Sequence, residues 1–104
     1  MIYIDRGYAD YDWWEELTRK GVYFVTRLKS NAVYDEIRRR EGRRSKNVVG
    51  DETIKLNGSH TPFRLIHYIS PKYQHEYHFI TNAMHLSAQT IADVYKGRWQ
   101  IELV

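Results

Sequence analysis

Apolar positions recur along this chain with two different periods, and the change of period marks its elements. Ile2 to Ile4 is a short apolar run closed by Asp5, the pattern of a buried central strand in a parallel sheet. Gly7 breaks the strand. Asp12-Trp-Trp-Glu15 is a helix start signal, with Asp12 as N-cap and Glu15 three residues on. That helix runs to about Lys20, with Arg19 and Lys20 at its negative end and Gly21 just past it. Val22-Tyr-Phe-Val25 is β-branched and aromatic, a second strand reaching toward Leu28. Strand, helix and strand in so short a span form a βαβ unit, which requires the two strands to be parallel.

From Ser30 onward the pattern changes. Residues 38 to 47 read Arg-Arg-Arg-Glu-Gly-Arg-Arg-Ser-Lys-Asn, with no apolar residue, and are expected to form an exposed, mobile loop. Three strand-like runs follow: Thr53 to Leu56, Phe63 to Ile69 and Tyr77 to Thr81. The first two are joined through Asn57-Gly58, with Pro62 lengthening the loop, and the second pair is joined around Pro71. These runs predict an antiparallel meander inserted after the βαβ unit. Ser87 then caps a last helix from Ala88 onward, with Leu86 and Ile91 at the two positions of a hydrophobic staple.

The last helix carries the first anomaly. Ile91, Val94, Tyr95, Trp99 and Ile101 share one arc, and Gln89, Asp93, Lys96, Gly97 and Gln100 share the opposite one. Arg98 and Glu102 fall in the middle of the apolar arc. A charge there needs an opposite partner or a metal. An internal Arg98–Glu102 pair, four residues apart, answers that need; so does a site in which Glu102 holds a metal and Arg98 a phosphate. Asp5 is the second anomaly. A carboxylate at the carboxyl end of a parallel strand lies where open α/β sheets keep their sites, although a turn-forming Asp beside Gly7 reads the same way.

Composition limits the choices without deciding among them. One domain is the default for 104 residues, and 42% hydrophobic with 28% charged residues is ordinary for a soluble protein. No apolar run approaches the roughly 18 residues of a membrane span, and Met1 to Asp5 lacks the basic start of a signal peptide. With no cysteine there is no disulfide framework and no thiolate metal site, which fits a reducing compartment. A net charge of +3, from 16 Lys and Arg against 13 Asp and Glu, is compatible with a polyanionic partner but does not establish one. Both ends read as cut, the first on a strand without lead-in and the last inside a helix without a stop signal. His75 and His78 have metal-like spacing, but strand alternation puts them on opposite faces. Trp13 and Trp14 read as helix-to-sheet packing rather than base stacking.

Asp5-Arg6-Gly7-Tyr8 resembles the segment around the second acidic residue of insertion-sequence transposases of the DDE class. Tyr95-x2-Arg98-x3-Glu102 resembles the Y-x2-R-x3-E signature around their third. Thr81-Asn82, Ile91-Ala92, Trp99, Ile101 and the strand Phe24-Val-x-Arg-Leu-Lys29 are similar to that family as well. The Lys that continues the signature would lie beyond Val104, and the first catalytic Asp would lie upstream.

The resemblance implies an α/β core fragment of ribonuclease H type. Its parts would be a βαβ unit in residues 1–29, a basic loop and β insertion in 30–85, and a helix in 86–104. It implies metal-dependent cleavage and strand transfer at transposon ends, in the bacterial cytoplasm at the nucleoid. Asp5 and Glu102 would be catalytic metal ligands for Mg2+ or Mn2+, with two ions in the complete site. Tyr95 and Arg98 would contact double-stranded DNA, both transposon ends and target, and the full-length protein is a candidate homodimer. Arg38, Arg39, Arg40, Arg43, Arg44 and Lys46 would contact the DNA backbone, or form a solvated loop, readings that are compatible. The alternatives are a metal-dependent nuclease of the same fold and a non-catalytic DNA-binding remnant, and the chain by itself is expected to be inactive.

Overall fold

The computed structural model describes residues 1–4, 10–29, 31–40 and 47–102, apart from the side chains of Tyr3 and of residues 96–102. Its elements are β1 (Ile2–Tyr3), α1 (Tyr11–Arg19), β2 (Phe24–Arg27), β3 (Tyr34–Arg39), β4 (Val48–Leu56), β5 (Phe63–Ile69), β6 (Glu76–Thr81) and α2 (Ala88–Glu102). All six strands join one sheet in the order β1-β2-β6-β5-β4-β3. β1 and β2 are parallel, as the βαβ reading requires, with Ile2 opposite Phe24 and Tyr3 opposite Val25. Every other pairing is antiparallel.

The meander is therefore not a separate insertion beside the core. Its last strand, β6, pairs directly with β2, with Val25 opposite Thr81 and Arg27 opposite Phe79, so the sheet is continuous. Strand alternation sends Ile54, Leu56, Phe63, Leu65 and Ile80 to one face, where Trp14 of α1 packs. Val48, Ile66, Tyr68 and Phe79 go to the other face, where Ala88, Ile91, Ala92 and Tyr95 of α2 pack. One helix on each face gives three layers.

Trp14 is 1% exposed, its ring centroid 5.5 Å from Phe24 and 6.0 Å from Phe63, which confirms the packing role expected of it. Gly21, with φ of 74°, ends α1 in the left-handed region as expected. Leu86 and Ile91 meet in the α2 core as the staple requires, and the Ser87 hydroxyl accepts from Thr90 N at 3.1 Å.

Four expectations are corrected. First, α1 is capped by Asp10, whose Oδ1 accepts from Trp13 N at 3.1 Å, and Asp12 lies in the first turn. Glu15 does not close a capping box. Its Oε1 accepts instead from Ser59 Oγ (2.9 Å), His60 N (2.7 Å) and Thr61 N (3.0 Å), three donors in the turn between β4 and β5 that together outcompete one helix-end amide.

Second, residues 34–39 form a strand, although every residue in it is exposed. A sheet-edge strand with solvent on both faces has no apolar alternation to reveal it. Third, Arg38 and Arg39 belong to that strand, so the basic segment does not begin as a loop. Fourth, β1 is an edge strand among the described residues, not a central one, with Ile2 39% exposed.

A buried ion pair lies under the α2 layer. Arg64 on β5, 2% exposed, donates through Nε and Nη2 to the two carboxylate oxygens of Asp51 on β4, at 2.8 and 2.7 Å. Its Nη1 donates to the carbonyls of Ala83 and Leu86 in the segment between β6 and α2. Arg40 reaches the same place, with Nε 3.4 Å from Asp51 Oδ1 and Nη2 donating to Met84 O at 2.7 Å.

Two outcomes are expected from these contacts. Asp51→Asn strips the buried Arg64 of its counter-charge, and should lower unfolding free energy by about 3 kcal/mol in urea titration, the scale for breaking a buried pair. The Glu15 carboxyl is held below the usual range, chiefly by the His60 N–H and the Ser59 hydroxyl. Its depressed pKa gives a contribution that is present above the ordinary carboxylate pKa and lost as pH falls through the folded value. The stability gap between wild type and Glu15→Gln should therefore be open at neutral pH and close on acidification below the carboxylate range.

Candidate functional site

The structure describes the backbone that leads to each acidic residue singled out in the sequence. β1 is anchored up to the residue before Asp5. Ile4 N donates to Val25 O at 3.0 Å, and Ile4 O accepts from the buried Thr26 hydroxyl at 2.6 Å. Both backbone groups of Ile4 are thus committed to β2. Asp5 itself lies outside the described residues, as do Arg43, Arg44 and Lys46.

α2 approaches from the other end. β6 runs from Glu76 to Thr81, the chain turns, and two turns into α2 Tyr95 lies back against Phe79 at 4.5 Å and Tyr77 at 6.3 Å between ring centroids. α2 therefore runs opposite to β6, and so in the direction of β1 and β2. Its backbone continues through Arg98 to Glu102, about 10 Å beyond Tyr95 at helical rise. The side chains of Arg98 and Glu102 are outside the described set.

Tyr95 is 4% exposed, so its ring belongs to the core and fixes the helix on the sheet. Arg38 and Arg39 are exposed on β3. Arg40 is turned inward onto Asp51 and Met84, and its guanidinium is lowered from the ordinary value by burial and by the nearby Arg64 charge. Of the basic residues proposed from the sequence, Arg40 is thus a structural one in this arrangement.

Thr81-Asn82 proves to be a joint. The Asn82 side chain, 8% exposed, accepts from Phe24 N at 3.0 Å and donates to Val22 O (2.9 Å) and Thr18 Oγ1 (3.0 Å). The amide takes the place of one more residue pair in the β2–β6 ladder and ties the end of α1 to it. Thr81 Oγ1 donates to Phe24 O at 2.6 Å and accepts from Ala83 N at 3.1 Å.

One chemical cluster was not expected. His67, Glu76 and His78 each offer a ligand atom within 4.8 Å of the others. The partner of His78 is His67, directly opposite on β5, and not His75, whose ring instead lies 5.4 Å from Tyr77. A residue count along one strand cannot find a pair that forms across two; only the β5–β6 register does.

The architecture is thus a mixed α/β sheet with a parallel β1-α1-β2 unit and one helix on each face. The family model described as "Transposase DDE domain" matches residues 1–104, and the chain belongs to that family. It is 33% identical over 108 aligned positions to a candidate transposase of Sinorhizobium fredii, an alignment covering 96% of this chain and 30% of that protein. The chain thus spans less than a third of the length of this relative. No solved structure gives a significant match.

Asn82→Ala leaves the buried Phe24 N–H without its acceptor, and should cost about 2 kcal/mol of stability by urea unfolding. Thr26→Val, which keeps the volume and removes the hydroxyl held by Ile4 O, should cost about 1 kcal/mol. Faster amide exchange at Ile4 and Phe24 should report both losses locally.

Proposed function

We propose that this chain supplies two of the three acidic metal ligands of a DNA transposase of ribonuclease H-like fold, Asp5 from the end of β1 and Glu102 from α2. The observation that carries the reading is the direction of α2. It runs antiparallel to β6, and so in the sense of β1 and β2, and in this reading that would bring Glu102 toward the end of β1. The parallel β1-α1-β2 unit with a helix on each face supports the same fold. In this reading residues 1–29 and 86–104 are the catalytic parts, and 30–85 extends the sheet from β2 outward.

The outer side of β1 is where the strand carrying the first acid would add, because an edge strand presents unpaired N–H and C=O groups. Family membership implies divalent metal. The two carboxylates are the hard-oxygen donors that Mg2+ or Mn2+ prefers, and the doubly anchored Ile4 is a rigid base from which to hold one of them. When bound, a pair of such ions would lower the charge barrier at the attacking and leaving oxygens of a phosphodiester. Arg98, one turn before Glu102, would hold a DNA phosphate. Tyr95 would set the helix against Phe79 and Tyr77 and so act on DNA through the position of Arg98. Exposed Arg38 and Arg39, with Arg43, Arg44 and Lys46, would track the duplex backbone. The partners are then transposon ends and target DNA, in a homodimeric complex of the full-length protein.

The decisive experiment uses the full-length protein with DNA carrying the element's ends. Magnesium-dependent joining of ends to a target, lost by a factor of at least about 100 in Asp5→Asn and in Glu102→Gln, is the expected result. Cutting without joining would make it a nuclease, and inert full-length protein a DNA-binding remnant. The isolated chain should neither cut nor join. Its DNA binding should weaken with salt, and replacing Arg38, Arg39, Arg43 and Arg44 with Ala should flatten the slope of log affinity against log salt by about 0.9 for each phosphate no longer neutralised.

A further inference from the structure

We propose that His67, Glu76 and His78 form a binding site for one divalent ion of the zinc type, on the sheet face opposite α2. The inference does not depend on the transposase reading. His67 and His78 are directly opposed across β5 and β6, with ring centroids 4.7 Å apart. Glu76, two residues before His78 on the same strand, projects to the same face. Its Oε1 lies 2.9 Å from His78 Nε2 and 3.7 Å from His67 Nδ1. A single ion drawing these atoms in would clip two strands together near the end of their hairpin.

The second ring nitrogen of His67 supplies an independent argument. Its Nε2 lies 2.9 Å from Glu52 Oε1 on β4. A carboxylate there accepts a hydrogen bond from Nε2–H, which in the neutral ring leaves a lone pair on Nδ1, the nitrogen nearer Glu76. Metal-bound histidines are oriented in just this way, by a carboxylate on the nitrogen that does not bind the metal.

The backbone also makes room for the ring. The β4–β5 register shifts between Val48 and Gly50, and a Cβ at Gly50 would sit 2.6 Å from His67 Cδ2 and 3.1 Å from Cγ. Gly50 is thus the residue that lets the imidazole lie against β4.

Donor type selects the ion. Two imidazoles and one carboxylate favour zinc and its late first-row neighbours over magnesium, so this site would not compete for the ion expected between Asp5 and Glu102. With His67 17% and His78 39% exposed at their side chains, a water can complete a tetrahedral shell. A groove of 360 Å³ beside His67 and Glu76, bordered by Arg39 and Glu52, gives access. For His78 Nε2 to bind the ion its ring proton must sit on Nδ1, and because protons compete with a metal for imidazole nitrogens, occupancy falls in acid. The competing account is a protonated His67 held between Glu52 and Glu76 with no metal at all.

Calorimetric titration of the chain with zinc chloride at neutral pH separates the two. The proposal expects one zinc per chain at this site, not displaced by excess magnesium, and a thermal midpoint that rises with zinc. Cobalt(II) should develop the visible absorption of a tetrahedral ion. His78→Gln, on an exposed side chain, should weaken zinc binding at least about tenfold while keeping the circular dichroism of the fold, as should Glu76→Gln. Gly50→Ala should weaken it by displacing His67. His60→Gln should bind as wild type does. No zinc binding up to roughly 1 mM, or binding unchanged in His78→Gln and Glu76→Gln, would overturn the proposal.

Discussion

The Asp51–Arg64 pair is the constraint on which the layout of this protein depends. Arg64 sits on a central strand at a position that faces the α2 layer, where an aliphatic side chain would be expected. Its guanidinium is satisfied on one edge by a bidentate carboxylate from β4 and on the other by the carbonyls of Ala83 and Leu86. Those carbonyls belong to the short connection that turns the chain from β6 into α2. One buried side chain therefore locks two neighbouring strands to the launch point of the helix that carries Glu102. A planar guanidinium can do this because it offers donors in fixed directions; a lysine in the same place would reach at most part of the set. Arg40 adds a second cation to the same carboxylate and holds Met84 in the same connection.

The other end of the sheet is ordered by neutral polar groups. Thr26, Thr81 and Asn82 are all buried, and each spends its side chain on a backbone group near the β1-β2-β6 junction. At this place the parallel part of the sheet meets the antiparallel part, and backbone ladders alone leave gaps where strand ends do not coincide. Side-chain oxygens and the Asn82 amide fill those gaps. The result is a stiff platform under Ile4, the residue before Asp5. Rigidity of that kind matters wherever carboxylates must share metal ions, since misplacing a ligand by an ångström loosens the site.

The two sheet faces divide the chemistry. The α2 face contains the charged pair and leads toward Glu102. The α1 face, past the end of Trp14 and its neighbours, is covered by no helix among the described residues, and there His67, His78, Glu52 and Glu76 gather around half-exposed imidazoles. Without a helix above them, polar residues are tolerable at strand positions that otherwise alternate inward.

The sequence by itself determined the local elements and the family resemblance. The βαβ unit, the three meander strands, the staple at Leu86 and Ile91, and Gly21 past α1 all follow from short-range periodicity and caps, which act within a few residues and so leave a local trace. Asp5 and Glu102 drew attention in the sequence because one stands at a strand end and the other in an apolar arc; their metal role is the proposal. Pairing across strands was decided only by the tertiary structure. β3 left no trace, because an edge strand wetted on both faces needs no alternation. Glu15 looked like a capping-box member until the turn at 59–61 offered it more donors. Arg64 and Asp51 are separated by thirteen positions, and His67 and Glu52 by fifteen; nothing local distinguishes them from surface charges. Burial and register bring such residues together, and both are properties of the assembled sheet, in which the free energy of a charge depends on partners that only folding places beside it.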